Sequence, residues 1–461
     1  MSKDIQILKS RDDKNPVMFQ SSEEVDLFTL VEGLDCSWIK QDQQFGPEKL
    51  RPRIEPWLTA LFQSEHLALL AGSGLSHAVH QVATGSLLPG MSKVSFSSYN
   101  AEIETKAKES AEELGRAEGN IEDQIRVVNE LLRGLDILAA NNADFKKPFE
   151  ALDGELNTIL SEFATSILQG ENGLITASEE KREDAFNYLV SFLMSFSSRT
   201  GTRDRLQIFT TNYDRFIEAG ADIAGLHLLD RFVGSLTPIF RSSRLDVDMH
   251  YNPPGIRGEP RYLEGVARFT KLHGSLDWVS SESQIRRFGL PFGADKVEPY
   301  LGAPGLYGAK SLDLMIYPNA AKDRETSAYP YVELFRDFAA TVCRPNSTLV
   351  LFGYSFGDEH INRVIEDMLT IPSTHLVVFS HSDPLGRIMS TYKKLGRHAQ
   401  ITLMIGTHLG DLRTVVDNYL PKPAIDRTTF KMGELLKARW GTGQADTPEA
   451  SKEVDAGWSD E

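Results

Sequence analysis

HLALLAGSGLSHAV, His66 to Val79, decides the fold class. An unbroken apolar run of strand length meets a glycine turn, then a helix start made of small residues. Apolar runs of this kind suit strands buried on both faces of a parallel sheet. The same alternation continues outward. EDAFNYLVSFLMSF (Glu183–Phe196) reads as a helix leading into the strand and polar loop of LQIFTTNYD (Leu206–Asp214). YVELFRDFAATVC (Tyr331–Cys343) reads as a helix before the strand and glycine turn of STLVLFGYSFG (Ser347–Gly357). DEHINRVIEDMLT, with acids in its first turn, HLVVFSHSDP and ITLMIGTHLGDLRTVVDNYLP complete the series. The pattern predicts an α/β fold, a Rossmann-like doubly wound parallel sheet.

Three regions fall outside the alternation. Residues 1–60 are expected to form an N-terminal arm, mobile to about residue 20, followed by helices. There SSEEVDLFTLVEGL opens on serines and acids, and RIEPWLTALFQSE puts Ile54, Trp57, Leu58 and Leu61 on one face. A domain over 61–420 follows, interrupted by a large all-helical insertion at about 100–200. In it Ile121, Ile125, Val128, Leu132 and Leu135 recur at helical spacing, and its charges read as a solvated face. The chain from His273 to about Leu314 reads as irregular, with LMIYPNA as a strand after it. Residues 421–461 read as a partly disordered tail.

Composition narrows the function classes. The 461 residues are 41% apolar and 25% charged, ordinary for a globular protein. No apolar run approaches the ~18–20 residues of a membrane span, and the N-terminus lacks the apolar core of a secretory signal. A cytoplasmic protein with no membrane partner is expected. The two cysteines, Cys36 and Cys343, are too few for a disulfide framework or a cysteine-rich zinc module, and no metal is expected. A net charge of −16 argues against general nucleic-acid binding.

Four stretches carry polar residues at strand ends, where a parallel sheet keeps its ligand chemistry. The first is Gly72-Ser73-Gly74-Leu75-Ser76, a turn that could bring backbone N–H groups to a pyrophosphate. A dehydrogenase fingerprint would place a third glycine where His77 stands and an acid about 20 residues on, yet 71–101 contains no Asp or Glu. A plain strand-to-helix turn explains this station equally well. The second, Thr210-Thr211-Asn212-Tyr213-Asp214, offers an amide and a carboxylate; Asp214 could equally cap the next helix. The third is Lys271-Leu272-His273-Gly274, where an isolated histidine is most often structural. The fourth, Gly353-Tyr354-Ser355-Phe356-Gly357, matches G-x-S-x-G, the nucleophile elbow of serine hydrolases, with Asp383 and His398 or His408 as partners. That alternative leaves everything before Ser355 unexplained.

In this order the four stretches resemble the sirtuin-like family of NAD-consuming enzymes, over roughly residues 61–420. GSGLS is similar to that family's GAGxS loop, TTNYD to its TQNxD motif, KLHG to its catalytic His-Gly strand, and GYS to its late GTS turn. The resemblance implies NAD+ as substrate. It assigns Asn212 and His273 to catalysis, with Asn212 holding the ribose or the attacking water and Asp214 the nicotinamide amide. It assigns Gly72, Ser73, Gly74, Ser76, Thr210, Gly353 and Ser355 to the rest of the cofactor. Two features depart from the family. The zinc module of its protein deacylases is missing, and so is its proline-aspartate-phenylalanine-arginine turn, of which Leu88-Pro89-Gly90 is the nearest remnant. Those departures resemble the bacterial branch that hydrolyses NAD+ in antiphage defence (abortive infection). That branch implies a homo-oligomer and a HerA-type ATPase as partner. Because a free NAD+ hydrolase would deplete its own cell, a resting state held inactive through subunit contacts of the insertion or the N-terminal arm is expected. Protein deacylation, ADP-ribosyl transfer and a nucleotide sensor without turnover are the remaining alternatives.

Overall fold

Ten strands form one sheet in the computed structural model, which describes residues 4–422 apart from short internal stretches, chiefly 114–117, 244–247, 252–260 and 317–328. In chain order they are β1 (Ile5–Lys9), β2 (Val17–Ser21), β3 (Phe28–Leu30), β4 (His66–Ala71), β5 (Gln207–Thr210), β6 (His227–Leu229), β7 (Val266–Lys271), β8 (Ser347–Phe352), β9 (His375–Ser380) and β10 (Ile401–Ile405). The spatial order is β3-β2-β1-β10-β9-β8-β4-β5-β7-β6. Every pair from β10 across to β6 is parallel, while β1, β2 and β3 add antiparallel to the β10 edge. The protein is thus a Rossmann-like α/β fold, doubly wound as its alternation requires.

Period-two alternation in the central strands feeds two cores. Leu69 and Ala71 of β4, Val350 and Phe352 of β8, and Val377 and Phe379 of β9 join one core. Their neighbours Leu70, Leu351 and Val378 join the other. Helices α1 (Pro47–Phe62), α2 (Ser73–Thr84), α6 (Glu179–Ser197) and α7 (Phe216–Ala224) cover the first face. Helices α8 (Tyr331–Val342), α9 (Glu359–Leu369) and α10 (Arg387–Leu395) cover the second.

The insertion is helical as expected: α3 (Asn100–Glu113), α4 (Ile121–Ala139) and α5 (Lys146–Thr176). Asn120 and Asp123 form a reciprocal capping box at the start of α4, each side chain accepting from the other's N–H at 3.0 Å. Ile121, Ile125, Val128, Leu132 and Leu135 are all buried, in a third core shared with Leu276 and Val279. Helix α5 belongs to two cores, with Leu152 in the third and Leu174 in the first.

Three expectations need correction. The N-terminal segment is no mobile arm, because β1 is stitched into the sheet and residues Met1–Pro421 form one compact unit. SSEEVDLFTL forms no helix among its described residues. Its Phe28 and Leu30 lie on β3, where Phe28 packs with Phe19 and Phe45, so the first helix waits until Pro47. The segment read as irregular carries a second, five-stranded sheet that includes Ser275–Ser281, Gln284–Arg287 and Leu314–Met315. LMIYPNA is described only to Ile316, and residues 423–461, nearly all of the expected tail, lie outside the described residues.

Candidate functional site

Strand order reverses between β4 and β8, so the loops after these two strands part to opposite faces. Such a switch point is where open α/β sheets hold ligands. Both loops here are glycine turns, and their backbones touch. Gly74 N–H donates to the Gly353 carbonyl at 3.1 Å. A Cβ on Gly74 would come within 2.6 Å of the Gly353 Cα, and one on Gly353 within 2.5 Å of the Gly74 Cα. Gly353 also has a φ of +65°, which side-chain-bearing residues rarely adopt. The glycines therefore serve loop-to-loop contact first. The N-cap of α2 is Gly72, with no side chain to cap it, and no acid stands in the first turn, which leaves that end suited to an anion.

Beside this turn pair opens a cavity of about 410 Å³, within the range of small-ligand sites. Gly72, Ser73, Ser76, Asn212, Asp214, His273, Gly353 and Ser355 all line it. Gly74 and Thr210 do not. Gly74 is spent on Gly353, and Thr210, buried below the wall, takes the Asn212 N–H on its hydroxyl at 3.1 Å while donating to the Ala71 carbonyl. Thr210 thus positions Asn212. The buried Asn212 amide donates both hydrogens, to the Gly72 carbonyl at 2.9 Å and the Ser76 hydroxyl at 2.8 Å. Its carboxamide oxygen is what remains for a ligand.

Asp214, one residue before the N-cap Arg215, accepts from Phe216 N–H at 3.2 Å in the first turn of α7, and it also lines the cavity. His273 follows β7 in a tight turn. Gly274, at φ +94°, is obligatory there because a Cβ would meet the Met315 carbonyl oxygen at 2.0 Å. His273 Nε2 lies 2.9 Å from Asp358 Oδ2, while Asp358 Oδ1 caps α9 through His360 N–H. With Nε2–H given to Asp358, the imidazole lone pair falls on Nδ1. The Tyr354 hydroxyl accepts from Asp358 N–H at 3.2 Å and lies 2.9 Å from Asn362 Oδ1. Burial, with Asp358 beside it, holds that phenol well above its usual range and therefore protonated.

Several wall residues carried no sequence signal. His77 lines the cavity, and burial pulls its imidazole below the usual range against the opposing pull of Asp214. It is neutral near pH 7, and its buried Nδ1 has no hydrogen-bond partner among the described residues. The insertion supplies a further wall from Asn120 and Glu122 at the start of α4 and from Phe163, Ser166 and Ile167 on α5. Its charges are not only a solvated face. Tyr213 joins this wall to the β5 loop, with its hydroxyl 3.3 Å from Glu122 Oε1 and its ring edge-on to Phe163. Deeper in, the buried Glu171 of α5 takes Arg215 N–H at 2.9 Å and its guanidinium at 2.5 Å. Leu88 and Pro89 also line the cavity. These contacts cross long sequence separations, so no local motif announces them.

A serine-hydrolase triad does not assemble at Ser355, whose hydroxyl accepts from Arg387 Nη2 at 3.1 Å. Asp383 instead caps α10 through Ile388 and Met389 N–H. His408 pairs with the Tyr419 hydroxyl at 2.7 Å, and His398 stacks on Tyr392. Among the described residues no cluster of three or more His, Cys, Asp or Glu is placed to hold a metal ion, and no helix is long and apolar enough to cross a membrane.

Residues 206–401 match the family model described as SIR2-like domain. The match contains TTNYD, KLHG and GYS and begins after GSGLS, with the helical insertion between. SIR2-like domains use NAD+, so the match fits an NAD-utilising enzyme. No curated protein matches the chain.

Proposed function

We propose that the protein is an NAD+ glycohydrolase, releasing nicotinamide and ADP-ribose. The observation that carries the reading is the convergence of the Asn212 amide, the Asp358-held His273 and the two glycine turns on one cavity. Breaking the nicotinamide–ribose bond passes through an oxocarbenium-like state, as glycoside hydrolysis does. The bonding pair leaves with the nicotinamide, neutralising its ring cation, so no general acid is needed. What the site must supply is a grip on the leaving amide, a positioned water and a base. Asp214 suits the amide. The Asn212 oxygen suits the water, because both amide hydrogens already fix its direction. As that water attacks the anomeric carbon, its proton passes to His273 Nδ1, and Asp358 stabilises the imidazolium formed. The uncapped start of α2 and the Gly353 turn suit the pyrophosphate, with Ser73, Ser76 and Ser355 as hydroxyl partners.

Water as acceptor is favoured over an acyl-lysine by the missing zinc module and by helices α4 and α5 along the cavity. Depletion of NAD+ during phage infection, by a homo-oligomer kept silent at rest and partnered by a HerA-type ATPase, is the setting such an activity suits. The direct experiment mixes the purified full chain with NAD+ and separates the products. Nicotinamide and ADP-ribose in equal amounts, with no acylated peptide present, are expected. Nicotinamide released only when such a peptide is added would replace this reading with deacylation.

A further inference from the structure

A pyrophosphate carries two negative charges, and this cavity is a poor place for them in one respect. Its wall holds three carboxylates, from Glu122, Asp214 and Asp358. Among the described residues lining it, Arg387 is the single arginine or lysine. Arg387 is also built into place. It opens α10, whose start is held by both Asp383 carboxylate oxygens. Its Nη2 donates to the Ser355 hydroxyl at 3.1 Å. Its guanidinium lies flat enough against the 353–357 turn that a Cβ on Gly357 would be 3.3 Å from Nη1 and 3.6 Å from Nη2. Glycine at 357 therefore leaves room for the guanidinium plane beside the turn that meets Gly72 and Gly74.

We infer that Arg387 is the phosphate-recognising residue of this site, clamping the pyrophosphate of a dinucleotide over the Gly353–Gly357 turn with Ser355 as its guide. The inference rests on the glycohydrolase reading for the identity of the ligand, but not for its phosphate chemistry. A planar fork of donors suits phosphate oxygens, and a charge-assisted bond is the strong kind. Beside the uncapped start of α2, Arg387 adds the full positive charge that offsets the carboxylates of the wall.

The test uses the full chain with arginine, lysine and glutamine at 387, probed with ADP-ribose and with inorganic pyrophosphate by calorimetry. Arg387→Gln should weaken ADP-ribose roughly 10- to 100-fold. It should also flatten the salt dependence of binding, and raise KM for NAD+ while leaving kcat within about twofold. Arg387→Lys should recover part of the affinity. A merely structural Arg387 would lower kcat and the melting temperature together and leave the salt slope intact, and that result overturns the inference. Unchanged ADP-ribose affinity in Arg387→Gln overturns it as well. Should Arg387→Gln not fold, Arg387→Lys carries the test, with a several-fold rise in the ADP-ribose Kd expected and no change overturning the idea. Wild-type protein that binds pyrophosphate through Arg387 but ignores ADP-ribose would sink the NAD+ reading and keep the phosphate site.

Discussion

On the sheet side of the cavity Gly74 and Gly353 meet backbone to backbone, and Asn212 is tied down by two hydrogen bonds to the first glycine turn. On the helical side the wall is made of side chains, Asn120, Glu122, Phe163, Ser166 and Ile167, reached across about a hundred residues of inserted chain. The sheet wall is fixed by what cannot be added to it. The helical wall is fixed by what its side chains touch, chiefly Tyr213 at the rim and Arg215 beneath. The first can hold a reacting group to a small tolerance; the second can change shape and composition without dismantling the fold.

The largest effect should come from the sheet wall. His273→Ala should cut nicotinamide release at least ~1000-fold with an unchanged melting temperature, as expected for loss of a base at the reacting centre. Asn212→Ala should do the same, but at a cost of about 1–3 kcal/mol in stability, because it strips partners from the buried Gly72 carbonyl and Ser76 hydroxyl. Release rates measured beside thermal melts separate the two. Full activity in either variant would remove the chemistry from this wall.

The seam between the walls comes next. Glu171→Gln leaves Arg215 buried beside a neutral amide, and breaking such a pair costs about 3–5 kcal/mol. Denaturant unfolding should show the loss. A neutral result would mean that the insertion is attached by its apolar core alone.

The third effect belongs to the sheet scaffold away from the cavity. His375 on β9 is held down to about 4, from 6.5, by burial and then by Lys9. The Thr402 hydroxyl accepts from Trp57 Nε1 and so donates to His375 Nε2, which favours the neutral ring. Because the folded value lies below the unfolded one, the unfolded chain takes the proton first. This contribution is complete above pH 6.5 and is lost as pH falls toward 4, by up to ~3 kcal/mol at 1.36 kcal/mol per unit. Unfolding free energies measured across that window should be flatter for His375→Gln than for the parent chain.

Tyr213→Phe should have the smallest effect, removing one long bond to Glu122 worth about 0.5–1.5 kcal/mol and raising KM for NAD+ several-fold. A larger loss, falling on kcat, would show that the helical wall shares in the chemistry and would erase the contrast drawn above.

The sequence made the sheet wall legible because long apolar runs end there in glycines, and glycine requirements are local. Strand β1 was hidden for the opposite reason. Its Gln6 and Lys9 are buried at 0% and 2% exposure, inverting the pattern that marks a half-buried strand. The acids of SSEEV imitate a helix start but precede a three-residue strand held by aromatic packing. Asp358, Arg387 and His77 acquire their places only through folding, since each meets its neighbours in the cavity from a different strand end. The helical spacing of α4 was plain; that its first turn would face a ligand cavity was not.

The pairing of β1 with β10 has a consequence for how the protein comes into being. Gln6 accepts through Oε1 from His408 N–H, a partner 402 positions along the chain. The first strand therefore leaves the ribosome with β2 but long before β10 exists, and closing so distant a contact is slow. Gly74 must likewise wait for Gly353. A nascent chain cannot complete this cavity until the turn at Gly353 and Arg387 beyond it have been made.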